Sequence, residues 1–163
     1  MKKIYKLSKE VEDALKSSKP IVALETAILT HGLPRPENVN LALELEKIIR
    51  KEGAIPATIG IIDGIIKIGC SKEEILRLGY EKNACKASIR DLPIISARRL
   101  CGGTTVASTA FIASKVGIKV FVTGGIGGVH RRIDDTKEQN YDVSADIPII
   151  GLESILIVSS GAK

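Results

Sequence analysis

Two ionisable residues of this sequence lie beside short apolar runs, where a charged group is costly to bury. Glu25 stands inside "VALETAI", whose other residues favour burial, and Lys163 follows the apolar part of "ILIVSSGAK". A buried carboxyl group is either paired or raised in pKa, and a raised pKa suits a general acid. The alternative for Glu25 is a structural ion pair with a lysine or arginine. Lys163 is either part of a solvated tail or a working residue at the sheet edge where α/β proteins bind ligands.

Basic residues in the predicted loops could bind an anion. His31 and His130 are the two histidines, and each lies in a loop after a predicted strand. Either could contact a phosphate group, although a histidine in a loop is often merely solvated. Lys86 lies in "CKASIRDLP" with Arg90 one turn later, so it could bind phosphate or a carbonyl group. The alternative for Lys86 is an ordinary surface lysine.

Two aspartates in "YDVSAD" are spaced four residues apart around Ser144. Asp142 and Asp146 could serve one divalent ion through oxygen ligands, although two aspartates alone are a weak signal. All of these candidates follow or precede predicted strands, so the fold would have to bring them together.

Two glycine-rich loops could place backbone amides around an anion. "GGIGGVH" follows a predicted strand, but His130 occupies the position where a dinucleotide-binding fingerprint needs its third glycine. This break disfavours a nicotinamide-dependent oxidoreductase, and a tight turn is an equally good explanation of the glycines. "CGGTTVAS" leads into a predicted helix whose N-terminus would favour phosphate.

The elements that would position these residues alternate between strands and helices. The pattern predicts a helix over 8–17, a strand over 21–24 that ends at Glu25, and a helix that stops at Gly53. A hairpin is predicted around Asp63-Gly64, a helix with a capping box from Ser71, and a strand and turn over 92–100. Another helix ends at Gly117, strands precede both "TGG" and "SSGAK", and a turn with a short helix follows Tyr141. This order predicts an α/β fold in layers, with a mostly parallel or mixed central sheet.

Composition narrows the class of protein. The chain has 163 residues, 44% of them hydrophobic but only 3% aromatic, so residues 1–163 are expected to form one α/β domain with an aliphatic core. The net charge of +5 comes from dispersed lysines, without the basic and aromatic patches that bind nucleic acid. Three cysteines without metal-binding spacing suggest reduced thiols in a reducing compartment. No signal peptide or membrane-spanning run is evident, so a cytoplasmic protein without nucleic-acid or membrane partners is expected.

Seven segments resemble the pseudouridine-5′-phosphate glycosidases, in the same order and spacing. They are "VALETAILTHGLPRPEN", "IPATIGIIDGIIKIG", "KASIRDLP", "GGTTVAST", "VFVTGGIGGVHR", "DVSAD" and "SSGAK". The resemblance implies an α/β/α enzyme that, with Mn2+, splits pseudouridine 5′-phosphate into uracil and ribose 5-phosphate. It also implies that the full-length protein is a homotrimer.

The resemblance also implies roles for individual residues. Glu25 would be the proton donor, Lys163 the nucleophile, and Asp142 the metal ligand. The implied substrate contacts are Lys86, Val106, Ser144, Ala145 and Asp146. His130 is added as a substrate-contact candidate because it lies in a loop after a predicted strand and could contact phosphate. A C-glycoside has no leaving oxygen or nitrogen to protonate, so paired carboxylates suit it poorly. A neutral lysine can instead form a Schiff base at C1′, which serves as an electron sink for breaking the C–C bond.

The sequence departs from the family in three places, the mildest being Ala27, where a threonine or serine is common. The portion that follows "SSGAK" in family members is absent here, and no helix follows the last predicted strand to cover it. We therefore expect the sheet to be incomplete on its C-terminal side and the chain to be the N-terminal part of a longer glycosidase domain. "IDDTKEQN" is expected to be an inserted loop. The alternative function is a catalytically inactive remnant that binds ribose phosphates or associates with full-length subunits.

Overall fold

The computed structural model of the chain describes residues 4–131 and 141–163. The described strands are β1 (Tyr5–Leu7), β2 (Ile21–Leu24), β3 (Ile55–Ile62), β4 (Ile65–Ile68), β5 (Cys85–Ala87), β6 (Gly102–Thr104), β7 (Val120–Thr123), β8 (Val129–Arg131), β9 (Tyr141–Val143) and β10 (Leu156–Ser159). The described α-helices are α1 (Lys9–Lys16), α2 (Glu37–Lys51), α3 (Lys72–Tyr80), α4 (Leu92–Ala97), α5 (Val106–Lys115) and α6 (Asp146–Leu152). The predicted insertion "IDDTKEQN" lies outside the described residues.

Local sequence signals determine where several elements begin and turn. The Ser71 hydroxyl accepts the amide of Glu74, and the Glu74 carboxylate accepts the amide of Ser71, so the predicted capping box of α3 is confirmed. Between β3 and β4, Asp63 and Gly64 both have positive φ, 51° and 76°. This is the geometry of a tight hairpin turn, so the predicted hairpin is confirmed as well.

The central sheet is mixed. Its strands lie in the order β1-β4-β3-β2-β7-β10, with β6 also paired to β3 and β5 paired to β6. The neighbours β3, β2, β7 and β10 run parallel, whereas β4 and β6 run antiparallel to β3. The predicted α/β class with a parallel or mixed sheet is therefore confirmed. Separately, β8 and β9 form a two-stranded antiparallel ribbon.

Two apolar clusters form the core. In the first cluster, residues of α1, α4 and α5 pack on the sheet around Phe121, which is fully buried. In the second, residues of α2 and α3 pack with Leu29 and Ile62. Both clusters are almost entirely aliphatic, as the shortage of aromatic residues predicts.

The prediction of a strand and turn over 92–100 is wrong. Residues Leu92–Ala97 form the helix α4, after a 3-10 turn over Ile89–Asp91. Pro93 lies in the first turn of α4, where its missing amide removes no helical hydrogen bond. A short apolar run such as "LPII" fits a strand or a buried helix equally well, and the proline position favours the helix.

None of the helices in the described part of the chain has the length and apolar character needed to cross a bilayer. The three cysteines are free thiols, and Cys70 is buried. Burial raises the pKa of the Cys70 thiol far above its ordinary range, so Cys70 stays protonated and serves as a small core residue.

Candidate active site

A cleft of about 960 Å³ opens beside the carboxyl ends of the parallel strands. Glu25 directly follows β2, and Lys163 lies four residues beyond the end of β10. Because β2, β7 and β10 are parallel neighbours, their carboxyl ends meet at one edge, where doubly wound proteins bind ligands. Eight of the nine predicted site residues line this cleft, namely Glu25, Lys86, Val106, Asp142, Ser144, Ala145, Asp146 and Lys163. Their roles remain predictions.

Glu25 is half-buried and is held by a neighbour that the sequence analysis did not select. The hydroxyl of Thr123, the last residue of β7, donates a hydrogen bond to Oε1 of Glu25. Burial raises the pKa of Glu25, and this effect outweighs the opposing hydrogen bond from Thr123 and the positive charge of Lys163. No salt bridge to Glu25 occurs in the described residues, so the alternative of a structural ion pair gains no support.

Lys163 is tied to the glycine loop by its backbone. Its amide donates to the carbonyl of Ile126 at 2.8 Å, and the amide of Ile126 donates to the carbonyl of Gly161 at 3.0 Å. The lysine side chain lies against Gly125, where an added Cβ would come within 3.0 Å of the lysine Cγ. Lys163 remains exposed to solvent, and its charge is close enough to Glu25 to lower the pKa of that carboxyl group.

Asp146 connects three parts of the cleft wall. Its side chain is buried, Oδ1 accepts the amide of Ala107 at 2.9 Å, and Oδ2 accepts the amide of Gly127 at 2.8 Å. Ala107 belongs to the first turn of α5, whose unpaired amides and positive end favour a carboxylate. Asp146 therefore fastens the start of α6 to α5 and to the glycine loop.

The glycine loop over 124–128 packs closely on the Ser144–Asp146 turn. The amide of Ser144 donates to the carbonyl of Gly128 at 3.0 Å, and the Ser144 hydroxyl accepts the amide of Asp146 at 3.2 Å. A Cβ at Gly127 would collide with the Ser144 side chain, whereas a Cβ at Gly124 would meet nothing within 4 Å. Steric fit therefore requires glycine at 127, whatever the loop binds.

The other lining residues come from separate elements. Lys86 is exposed on β5, Val106 is the buried first residue of α5, and Ala145 precedes α6. Lys86 is close enough to Glu25 that its positive charge lowers the pKa of the carboxyl group. Asp142 is exposed on β9 and projects one carboxylate toward the cleft.

The two histidines lie differently from the lining residues. His130 is exposed on β8, opposite Asp142 in the ribbon, and is not among the described residues that line the cleft. His31 is exposed on the π-helical turn Ile28–Gly32, and its Nδ1 lies 2.7 Å from the Thr30 hydroxyl. Partial desolvation of this exposed ring by its neighbours, together with the positive charge of Lys86, lowers the pKa of His31.

Thr123 is the functional candidate that sequence reasoning missed. The sequence does contain an indication of Thr123: this polar residue stands at the end of the predicted strand in "VFVTGG", just as Glu25 stands at the end of its predicted strand. Only the pairing of β2 with β7 shows that these two strand ends are adjacent.

Asp142 alone does not complete a metal site. Among residues 4–131 and 141–163, no group of three or more histidine, cysteine, aspartate or glutamate side chains is arranged to hold a metal ion. Both oxygens of Asp146 already accept backbone amides. One exposed carboxylate fits a hard divalent cation that keeps most of its water ligands.

Fold and site together define a class of protein: an α/β chain with an acid beyond the carboxyl end of β2 and a lysine beyond that of β10, two parallel strands with β7 between them. Residues 10–163 match the family described as indigoidine synthase A like protein. The chain belongs to this family. The resemblance to pseudouridine-5′-phosphate glycosidases is confirmed by curated relatives with that name.

The curated relatives match nearly the whole chain. The pseudouridine-5′-phosphate glycosidase of Symbiobacterium thermophilum is 49% identical over 163 residues, which is 100% of this chain and 53% of the relative. The enzyme of the same name from Escherichia coli is 52% identical over 161 residues, 98% of this chain and 50% of the relative. The chain thus spans about half the length of the curated relatives it matches.

Two solved structures share the fold, each with a TM-score of 0.83. One is an indigoidine synthase A-like protein from Thermotoga maritima, 36% identical to this chain. The other is the prealnumycin C-glycosynthase AlnA in complex with ribulose 5-phosphate, 40% identical. Each match covers 98% of this chain and 50% of the solved chain. These relatives support an enzyme family that acts on glycosidic bonds.

Proposed function

We propose that this chain carries the catalytic residues of a pseudouridine-5′-phosphate glycosidase, which releases uracil and ribose 5-phosphate. One observation carries the proposal: Glu25 and Lys163, from opposite ends of the sequence, line one cleft close enough for their charges to interact. The names of the curated relatives supply the substrate.

Glu25 is the proton donor in this proposal. Its raised pKa keeps the carboxyl group protonated to a higher pH than an exposed glutamate. The proton goes to the ring oxygen O4′ of the ribose as the C1′–O4′ bond breaks, which leaves a hydroxyl group at C4′. Thr123 keeps Oε1 of Glu25 in one orientation, so the other oxygen remains available to carry the proton.

Lys163 is the nucleophile. Its neutral amine forms a bond to C1′ as the ring opens and loses one proton. The nitrogen lone pair then forms the imine, the C1′–C5 bond breaks, and its electron pair leaves with uracil, which takes up a proton at C5. Water hydrolyses the imine, returning the free amine and ribose 5-phosphate. The backbone bonds between Lys163 and Ile126 hold the lysine beside the cleft.

Asp142 would hold Mn2+ through one carboxylate oxygen, with water or substrate as further ligands. The bound ion would supply positive charge beside the substrate. The steps assigned to Glu25 and Lys163 involve only their own side chains.

The proposed substrate contacts are the other residues that line the cleft, namely Lys86, Val106, Ser144, Ala145 and Asp146. His130 is a weaker candidate because it is not among the described lining residues.

Borohydride trapping tests the proposal. The protein is mixed with ribose 5-phosphate, with or without Mn2+, reduced, and mapped by mass spectrometry of its peptides. A sugar-phosphate adduct is expected on Lys163 and should be absent in Lys163→Met. Lys119→Met is the matched control, because Lys119 is also exposed and adjoins β7 but does not line the cleft.

Two results would contradict the proposal. Adducts spread over many lysines would show that Lys163 has no special reactivity, and an unchanged adduct in Lys163→Met would assign the chemistry to another residue. Uracil release from pseudouridine 5′-phosphate, measured in the same samples, separates Schiff-base formation from the complete reaction.

The second candidate function is the inactive remnant that binds ribose phosphates or associates with full-length subunits. The exposure of Lys163 favours it, because a solvated amine is a poor nucleophile near neutral pH. Saturable binding of ribose 5-phosphate without any reduced adduct would support the remnant over the enzyme.

The remaining assignments are predictions for the whole protein. They are a cytoplasmic location, a homotrimer when full length, the absence of nucleic-acid and membrane partners, and one α/β domain over 1–163 that forms part of a longer one.

A further inference from the structure

Three fully buried threonines form a chain of hydrogen bonds behind the cleft. We call Thr26, Thr104 and Thr109 the threonine brace, and each of them is 0% exposed. The hydroxyl groups of Thr26 and Thr104 both donate to the carbonyl of Ile59, at 2.7 Å and 2.6 Å. The Thr26 hydroxyl accepts the amide of Thr104, and the Thr104 hydroxyl accepts the hydroxyl of Thr109, each at 2.9 Å. The hydroxyl groups of Thr26 and Thr104 thus each use their one proton and also accept a hydrogen bond.

The brace lies where β3 changes its strand partner. β3 pairs with β2 over 55–58 and with β6 over 60–61, so Ile59 lies between the two pairings. The amide of Thr26 also donates to the carbonyl of Thr104 at 3.3 Å, which means that Thr26 and Thr104 are bonded in both directions. At this junction threonine side chains join the segment after β2 to β3 and β6.

Close contact at the junction requires a glycine. A Cβ at Gly103 would collide with the Thr30 hydroxyl and come within 2.6 Å of the carbonyl of Thr26. Gly102 and Gly103 are both buried in β6. These glycines of "CGGTTVAS" therefore belong to a buried strand, and the amide of Thr104 is already bonded to Thr26. The sequence suggested an anion-binding loop here, whereas the structure shows that Gly103 makes room for the brace.

The brace connects two walls of the cleft. Glu25 directly precedes Thr26, and Thr105 and Val106 directly follow Thr104. Glu25, Thr105 and Val106 line the cleft, whereas the threonines of the brace do not. We propose that Thr26 and Thr104 are positioning residues that keep Glu25 at a fixed place relative to the start of α5. This inference rests on the proposed function, in which Glu25 is the proton donor.

Loss of the Thr26 hydroxyl should disturb the wall beside Glu25. The amide of Thr104 would become a buried donor without a partner, which costs free energy. The start of α5 would have to shift, or water would have to enter, to satisfy this amide. Either change would leave the Glu25 carboxyl group less desolvated than it is in the intact brace.

Thr26→Val tests the brace through the titration of Glu25. Valine has nearly the volume of threonine but no hydroxyl group. Because burial is the largest influence on the pKa of Glu25, carbon-13 NMR should show this pKa falling toward 4.5. Hydrogen exchange at the Thr104 amide and the yield of Lys163 adduct should change by about tenfold or more, the exchange faster and the yield lower. Thr26→Ser keeps the hydroxyl group and should restore all three quantities.

Thr58→Val is the matched control. Thr58 is also buried and adjoins Ile59 in β3, but its hydroxyl donates to Glu46 instead of the brace. This variant should leave the pKa of Glu25 and the exchange at Thr104 unchanged. Should Thr26→Val fail to fold, Thr26→Ala compared with Thr26→Ser makes the same test, because only serine retains the hydroxyl group.

Two results would overturn the proposal. One is a pKa of Glu25 that stays at or above its wild-type value when the Thr26 hydroxyl is removed, and the other is an equal fall in Thr58→Val. The NMR and exchange measurements need no catalysis, whereas the adduct depends on Lys163. Failure of the brace and failure of the proposed function are therefore distinguishable.

Discussion

Two effects act in opposite directions on the pKa of the Glu25 carboxyl group: burial raises it, and the hydrogen bond from Thr123 lowers it. Burial raises its pKa above the ordinary value of 4.5, so the folded chain keeps this proton to a higher pH than the unfolded chain. The free energy of unfolding therefore falls as the pH rises from 4.5 through the raised pKa, and it stays lower above that range. Glu25 would thus lower stability at neutral pH.

Glu25→Gln should remove the loss of folding stability that the ionised Glu25 carboxylate causes at neutral pH. Glutamine still accepts the Thr123 hydrogen bond but carries no charge, so the variant should match the wild type at about pH 4 and exceed it at about pH 7.5 by on the order of 1 kcal/mol. Urea unfolding at both pH values measures the difference, and a pH-independent difference would contradict the prediction.

Asp63→Asn is the control, because the pKa of Asp63 is lowered in the folded chain whereas the pKa of Glu25 is raised. The Arg77 guanidinium holds the pKa of Asp63 below its ordinary value, so Asp63 contributes stability above that value and loses it as the pH falls. Asp63→Asn should therefore lower the stability near neutral pH, or leave it unchanged, since both side chains are exposed.

Thr123→Val isolates the second influence on Glu25. Valine preserves the volume of threonine but removes the hydroxyl donor, so the pKa of Glu25 should rise further. Thr58→Val is the matched control. The Thr58 hydroxyl donates a hydrogen bond of 2.5 Å to Oε1 of Glu46, and neither residue lines the cleft. Carbon-13 NMR titration of both carboxyl groups should show that each substitution raises only its own partner's pKa. A rise at both glutamates, or at neither, would contradict the assignment.

At the scale of elements, the cleft depends on three segments fastened by Asp146. The start of α6, the first turn of α5 and the glycine loop all meet at its carboxylate. Each contact is a charge-assisted hydrogen bond to a backbone amide, and such bonds are stronger than neutral ones. The loop can approach this closely because position 127 has no Cβ.

Gly127→Ala tests this fit directly. The added methyl would collide with Ser144 and come within 3.0 Å of the Asp146 carboxylate, so the turn or the loop must move. We expect a loss of about 2 kcal/mol in the free energy of unfolding and at least a tenfold drop in Lys163 adduct.

Gly124→Ala is the control within the same loop. Its Cβ would meet nothing within 4 Å, and neither glycine has a positive φ, so the two variants differ in steric contact alone. Similar losses in both variants would show that loop flexibility, rather than the contact with Ser144, matters.

At the scale of the whole molecule, local signals predicted most elements. Ser71 with Glu74, and Asp63 with Gly64, act within a few residues, so their capping box and hairpin could be identified directly. The structure of residues 92–100 could not be predicted in this way, since the short apolar run "LPII" is compatible with a helix and with a strand. The strands β5 and β6 are three residues each and depend on pairing with distant segments, which no local pattern reports.

The candidate site likewise has features that the local sequence indicates and contacts that only the fold creates. Glu25, Asp146 and the glycine loops could be selected because a charge or several glycines stood in an unusual context, whereas the role of each lysine rested on resemblance. The two bonds of Asp146 and the contact of Thr123 with Glu25 could not be predicted, because each joins segments that are remote in sequence.

The strand order has a consequence for how the chain folds. β7 lies between β2 and β10, and Val22 of β2 pairs with Val120 of β7. During synthesis β2 can pair with β3 early, but about a hundred further residues must follow Val22 before its other neighbour, β7, exists, and such distant pairings form slowly. Glu25 emerges early, Thr123 much later and Lys163 last of the three. The acid and the amine would thus come together late in folding, after both core clusters could already have formed.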